Sequence, residues 1–192
     1  MKRSILLRRF FLSCALALFV LSARAQTLSI QPDSKLWIEG TSTKSDWSVQ
    51  ASEIKAEMAI DGESIEGVKV TVPSKKIVSN KSTIMDRLMH DALKVTEHPE
   101  ISYELGENVA GIGEVMFSVK TSGKLTLAGV TKAVEFTVQG QRLDGGKIRL
   151  KGTMPLKMSE YGITPPTAMF GALRTGDDVT VHFEVVVAPP SS

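Results

Sequence analysis

Cysteine is almost absent from this sequence, because Cys14 is the only one among 192 residues. It falls in segment 1–25, whose composition differs from that of the rest of the chain. If that segment is removed, the mature chain has no thiol. This excludes disulfides, a cysteine nucleophile and a Cys-ligated metal, so we expect stability to come from an apolar core.

Segment 1–25 has the composition of a secretory signal peptide. Residues 1–9 carry four basic side chains and no acid, residues 10–23 are almost entirely apolar, and Ala23-Arg24-Ala25 matches a small-x-small cleavage site. The apolar run is shorter than the roughly 20 residues that a membrane span needs. We therefore predict cleavage after Ala25, a mature chain without a membrane span, and a periplasmic or secreted location.

Three other interpretations of this segment stay open. It could remain as an uncleaved N-terminal anchor. Cys14 could carry a lipid, although only four residues separate it from Arg9, so the preceding apolar run is short. Arg8-Arg9 with the apolar residues that follow also resembles a twin-arginine signal, which would export the protein already folded.

Most of the positive charge belongs to this segment. The whole chain has a formal net charge of +2, whereas residues 26–192 hold 18 basic and 21 acidic side chains, a charge of −3. A mildly acidic protein has no electrostatic basis for binding nucleic acid or anionic lipid headgroups. We expect neither as a partner.

Residues 26–188 have the pattern of a single all-β domain, and residues 189–192 are expected to form a disordered tail. Apolar and polar side chains alternate with a period of two, which is typical of strands with one buried face. The clearest runs lie at 68–72, 115–119, 134–138 and 179–187. Many short strands separated by turn residues indicate a sandwich or an antiparallel up-and-down barrel.

One segment, 83–95, has helical periodicity instead. Apolar side chains recur at the spacing of one helix face, namely Ile84, Met85, Leu88, Met89, Ala92 and Leu93. Thr83 with Asp86 forms a plausible N-terminal cap. We predict an amphipathic helix that lies against the sheet or closes one end of a barrel, with its methionine-rich face inward.

The sequence holds no recognised catalytic or metal-binding motif. Asp86 and His90 share a helix face and His98 follows, which is either half a metal site or an ordinary surface pair. We favour the surface pair, because no cysteine and no HExxH spacing accompanies them. No serine sits in G-x-S-x-G, and Trp37 and Trp47 could pack in the core or stack on a ligand. We predict no catalytic residue, no metal and no cofactor.

Several segments, taken in order, resemble the YceI-like family. The nearest match is Gly123–Lys132, GKLTLAGVTK, which is similar to the family's G-x-L-T-l-x-G-v-T-k stretch. Further segments of resemblance lie at 34–42, 72–77, 98–103, 156–163 and 176–179. One departure is Asp33-Ser34, where many members have His-Ser, so a headgroup contact of that histidine does not carry over.

The resemblance implies a lipocalin-like antiparallel barrel of about eight strands, with the helix at one end and a tunnel for a polyisoprenoid or isoprenoid quinone. It implies an exported bacterial protein without agreed catalytic residues. Alternation along the strands and the helix face together predict the side chains that line the tunnel: Leu36, Ile38, Val70, Met85, Leu88, Met89, Leu125, Leu127, Phe136, Val138, Ile163, Val181 and Phe183.

Other functions remain open at this stage. The barrel could have a filled core and act as a structural or adaptor protein, since a barrel of about eight strands is either filled by side chains or holds one small ligand. An aromatic content of only 6% favours a hollow interior. An enzyme would have Asp86, His90 and His98 as its candidate site. Ligand chain length and headgroup are undetermined, and a homodimer is left open.

Overall fold

The computed structural model describes residues 26–79 and 82–189. The predicted signal peptide, 1–25, and most of the predicted tail lie outside the described residues. The strands are β1 (Gln26–Ile30), β2 (Lys35–Ser42), β3 (Trp47–Ala51), β4 (Lys55–Asp61), β5 (Ser64–Pro73), β6 (Ile77–Val78), β7 (Glu100–Leu105), β8 (Val109–Ala110), β9 (Met116–Leu127), β10 (Val130–Arg142), β11 (Ile148–Lys157), β12 (Thr167–Ala168) and β13 (Leu173–Ala188). The α-helix of the described residues is α1 (Thr83–Ala92), and single 3₁₀ turns lie at Ser74–Lys76, Asp144–Gly146, Met158–Tyr161 and Met169–Gly171.

Eight of these strands close into an antiparallel barrel. Their order is β1-β4-β5-β7-β9-β10-β11-β13, and β13 pairs back with β1. Closure removes the free edges that an open sheet would expose. The predicted antiparallel barrel of about eight strands, with one helix, is therefore confirmed.

Strand β13 joins the barrel to a smaller flap. One edge of β13 pairs with β11, whereas the other edge pairs first with β2 and then, at Val187 and Ala188, with β1. Strands β3 and β6 continue outward from β2. The flap of β2, β3 and β6 thus extends the barrel wall towards α1.

Strand β10 shows how the alternating sequence fixes the inward face. Val134, Phe136 and Val138 point inward, while Glu135 and Thr137 are exposed. The hairpin from β9 to β10 places Ala128 and Gly129 at φ values of 48° and 79°. Two consecutive positive φ angles are those of a type I′ turn, which pins the register of both strands.

Helix α1 differs in detail from the prediction. Its N-cap is Ser82, whose Oγ accepts a hydrogen bond from the Met85 N–H, and not Thr83. Asp86 instead accepts the Ser79 N–H through Oδ1 at 2.7 Å, which ties the helix to the end of β6. The helix ends at Ala92 and not at residue 95, because Lys94 has a left-handed φ of 51°.

Candidate ligand-binding tunnel

A cavity of about 270 Å³ lies inside the barrel. Inward side chains of the barrel strands, the flap and α1 form its wall, and none of the lining residues among the described positions is charged. Apart from methionine sulfur, Trp47, Tyr103 and Thr121 contribute the polar side-chain atoms of this wall. The barrel is therefore hollow, which periodicity alone did not decide.

Two of the three polar side chains direct their hydrogen bonds to backbone carbonyls and not into the cavity. Trp47 Nε1 donates to the Thr41 carbonyl at 2.9 Å, and Thr121 Oγ1 donates to the Phe136 carbonyl at 3.0 Å. The Tyr103 hydroxyl is buried and makes no hydrogen bond to the described residues. Burial raises the pKa of this phenol, although the nearby Thr121 hydroxyl partly opposes the shift. A molecule in the cavity thus meets an almost wholly apolar wall.

The structure places eleven of the thirteen predicted tunnel residues at the cavity wall. The eleven are Leu36, Ile38, Val70, Met89, Leu125, Leu127, Phe136, Val138, Ile163, Val181 and Phe183. Met85 and Leu88 do not line the cavity, and Met85 is 40% exposed. The reason is that α1 faces the interior with Met89 and the following Leu93, so only part of the predicted methionine-rich face points inward.

The loop between β8 and β9 lies at one end of the barrel. Ile112, between Gly111 and Gly113, has no exposed surface and packs among side chains that include Phe117 and Ile148. Its N–H donates to the Glu63 carbonyl at 3.2 Å. The segment from Gly111 to Gly113 therefore places a buried apolar side chain at this end, and we call Ile112 the plug residue.

The other end is covered by α1 and the segment after β11. Met89 and Leu93 pack on Val49 and Ile77 of the flap, and Met158 joins the wall from the 3₁₀ turn Met158–Tyr161. None of the α1 residues is fully buried, so the helix contacts the barrel through one side only.

The three residues that we considered for a metal or catalytic site, Asp86, His90 and His98, contact the backbone of neighbouring segments. Besides the Asp86 bond described above, His90 Nε2 lies 2.8 Å from the Ile77 carbonyl oxygen. The His98 ring packs against Gly129 in the β9–β10 turn. Among residues 26–79 and 82–189, no group of three or more His, Cys, Asp or Glu side chains is placed to hold a metal ion.

The two tryptophans have different roles. Trp47 lines the cavity, whereas Trp37 lies on the outer face and stacks on His182 with ring centroids 5.0 Å apart. His182 Nε2 lies 3.1 Å from Glu39 Oε2. His182 thus faces away from the apolar side of β13.

Sequence reasoning missed several wall residues because their elements are too short for periodicity to register. Strand β6 has two residues, so Ile77 stands alone, and Met158 belongs to a 3₁₀ turn. Val49 alternates with Trp47 and Ala51, a signal that was present but covered only one short strand. Ile112 was detectable as an isolated large apolar side chain between two glycines.

Helices of the described residues are all too short and too polar to cross a membrane.

Comparison with known proteins supports the fold. A polyisoprenoid-binding domain from Saccharophagus degradans matches with a TM-score of 0.68 at 13% identity, over 86% of this chain and 99% of that one. Burkholderia cenocepacia BcnA matches with a TM-score of 0.66 at 16% identity, over 80% and 95% of the two chains. A Campylobacter jejuni YceI protein gives 0.59 at 19% identity, over 75% and 85%. No curated protein matches by sequence.

At these identities the structural likeness concerns the fold alone. The family assignment rests on a separate finding, a match of residues 25–187 to the model of the YceI-like domain. That match spans nearly all of the described chain and contains every strand of the barrel except the final residue of β13. The chain belongs to the YceI-like domain family.

Proposed function

We propose that the protein binds a long apolar molecule, a polyisoprenoid or an isoprenoid quinone, in the tunnel and carries it as a non-enzymatic carrier. The observation that carries the proposal is the uncharged cavity enclosed by a closed barrel. Transfer of a CH₂ group from water to such a wall contributes about 0.8 kcal/mol. A chain of many carbons can therefore bind tightly without any hydrogen bond.

The nature of the wall supports a hydrocarbon chain over a charged or strongly polar ligand. An ion placed against these side chains would lose its hydration without gaining a partner, which is costly. The Saccharophagus degradans neighbour, described as a polyisoprenoid-binding domain, supports the isoprenoid class. The adaptor alternative assumed a filled core, and the cavity does not fit that assumption.

The proposal is tested by extracting protein purified from its native host without detergent. Mass spectrometry of the organic extract should identify an isoprenoid lipid, in a stoichiometric amount. Removing it should lower the melting temperature, because a ligand that binds only the folded state stabilises that state by mass action. A cavity-free exported protein taken through the same steps controls for lipid carry-over. Ligand-free protein from a lipid-replete host, with no thermal shift on adding a polyisoprenoid, would exclude the proposal.

A periplasmic or secreted location belongs to the same proposal. The basic, apolar and small-residue order of segment 1–25 supports cleavage after Ala25, which would leave Gln26 as the first residue. Intact mass of the protein recovered from the periplasm or medium tests this. A mature protein that keeps residues 1–25 would contradict it.

A further inference from the structure

Rings and glycines alternate across five neighbouring strands of the tunnel wall. In the order β7, β9, β10, β11, β13, the inward positions are Tyr103, Gly123, Phe136, Gly152 and Phe183. Gly152 is the direct cross-strand partner of Phe183. Phe136 is a diagonal neighbour of Gly152, because it lies two residues from Val138, the cross-strand partner of Gly152. We call these five residues the ring belt.

The rings of the belt contact one another over the glycines. Strands two apart in a sheet are separated by about 9–10 Å, yet the centroid of Phe136 lies only 5.4 Å from that of Tyr103 and 5.9 Å from that of Phe183. Each pair can approach this closely because the strand between them carries no side chain at that point. Tyr103 and Phe183 therefore lean along the wall and leave the centre of the tunnel open.

Both glycines face a ring, and neither is required by its own backbone conformation. Neither has a φ in the left-handed region, so an L-residue could adopt the same conformation. A Cβ on Gly123 would lie 2.6 Å from Cε2 and Cζ of Tyr103, and a Cβ on Gly152 would lie 2.5 Å from Cζ of Phe183. These separations are too short for carbon atoms, so an added methyl group would push the ring towards the tunnel centre.

We propose that the glycine–ring pairs Gly123–Tyr103 and Gly152–Phe183 set the width of the tunnel, and that this width admits methyl-branched chains. The inference rests on the proposed function and concerns the class of chain that the same tunnel accepts. A methyl branch projects sideways from the main chain, so it needs more width than an unbranched chain. A ring displaced from its glycine would narrow the tunnel, so it would exclude the methyl branch before it excluded the main chain.

Gly152 is the better position for a test. Its nearest backbone atom, the Thr137 carbonyl oxygen, would be 3.1 Å from an added Cβ, so the Phe183 ring is the main obstacle. At Gly123 an added Cβ would also clash with the Glu104 carbonyl oxygen, which cannot move as easily. Gly106 provides the control, because it is exposed and an added Cβ would come no closer than 3.3 Å to the Ser122 carbonyl oxygen.

The experiment compares two neutral saturated probes, phytanol and the unbranched alcohol of the same main-chain length, which differ only in the methyl branches. Binding of each to delipidated protein is measured by displacement of a fluorescent lipid. Gly152→Ala should lower the affinity for the branched alcohol about tenfold relative to the affinity for the unbranched one. This is the loss expected when one methyl group no longer fits. Gly106→Ala should leave the ratio of the two affinities at the wild-type value.

Phe183→Leu supplies the decisive second variant. Combined with Gly152→Ala, it removes the displaced ring and should restore binding of the branched alcohol. The inference is overturned if Gly152→Ala leaves the ratio of the two affinities unchanged. It is also overturned if the double variant has the same ratio as Gly152→Ala alone. If Gly152→Ala does not fold, Phe183→Leu alone must shift the ratio towards the branched alcohol, and an unchanged ratio overturns the inference. Failure of the proposed function gives a different result, since the wild-type protein then binds neither alcohol.

Discussion

Arg142 Nε donates a hydrogen bond to the carbonyl oxygen of Ile112 at 2.8 Å. The backbone N–H of Arg142 also donates to the Val115 carbonyl at 2.8 Å. Two bonds from the last residue of β10 therefore hold the segment that closes one end of the barrel. The plug residue is thereby fixed to the barrel wall.

Ile112→Ala should therefore destabilise the protein by about 2–5 kcal/mol, the usual cost of deleting a fully buried aliphatic side chain. Val115→Ala is the matched control in the same segment, since Val115 is 66% exposed and should change stability by less than about 0.5 kcal/mol. Denaturant unfolding of both variants measures the difference. Equal stabilities would mean that Ile112 does not plug the barrel.

The facing of β10 gives a second prediction. Phe136→Asp puts a carboxylate into the apolar wall without a partner and should cost at least about 3 kcal/mol. Glu135→Lys, on the exposed face, should stay within about 0.5 kcal/mol of wild type. Thermal melts compare the two variants. If Glu135→Lys is the more damaging, the strand is shifted by one residue and its whole inward set is wrong.

Helix α1 gives a third prediction, on which of its methionines contacts the tunnel. Met89→Ala removes a side chain from the wall and should cost about 2 kcal/mol and reduce bound lipid. Met85→Ala makes the same chemical change at a more exposed site. It should change the free energy of unfolding by less than about 0.5 kcal/mol and leave the amount of bound lipid unchanged. Unfolding curves and lipid content are measured together. A larger effect at Met85 would show that the helix is rotated about its axis.

The two tyrosines of the chain, Tyr103 and Tyr161, give a fourth prediction. Burial raises the pKa of both phenols above the ordinary value of 10.0, and the negative charge of Glu160 adds to the shift at Tyr161. Ionisation is then easier in the unfolded chain, so stability is retained below pH 10.0 and falls as the pH rises beyond it. Ultraviolet titration should show each phenol less than half ionised at pH 10.0 in the folded protein.

Denaturant supplies the control for that titration, since both tyrosines should then ionise at their ordinary value. Tyr103→Phe reports on Tyr161 alone. A folded protein in which a tyrosine is half ionised at pH 10.0 or below would contradict the burial of that phenol.

The barrel could be predicted from the sequence because its long strands repeat the same pattern many times. Val179, Val181, Phe183, Val185 and Val187 all line the cavity, as strict alternation along β13 requires. Each repeat of the pattern adds to the same conclusion, so single exceptions do not alter it.

The ends of the tunnel could not be predicted in the same way. The plug residue lies in a loop, Ile77 in a two-residue strand and Met158 in a 3₁₀ turn. Such short segments show no alternation of apolar and polar side chains from which an inward face could be predicted. The N-cap was misplaced by one residue because Ser82 and Thr83 are both good caps. Whether the barrel was hollow depended on how the rings of the belt lie over Gly123 and Gly152, which is a property of the packed wall and not of any one strand.

The most direct test of the central claim is the lipid content of Val138→Trp purified from the native host, with Gln139→Trp as its control. Val138 lies in the cavity wall, whereas Gln139 is the next residue on the exposed face of β10. We predict that Val138→Trp loses bound isoprenoid while keeping most of its stability, because the indole occupies space that the ligand vacates, and that Gln139→Trp keeps its lipid. The account is contradicted if the wild-type protein carries no lipid to lose and Val138→Trp is destabilised by about 1–3 kcal/mol, as an overpacked solid core would be.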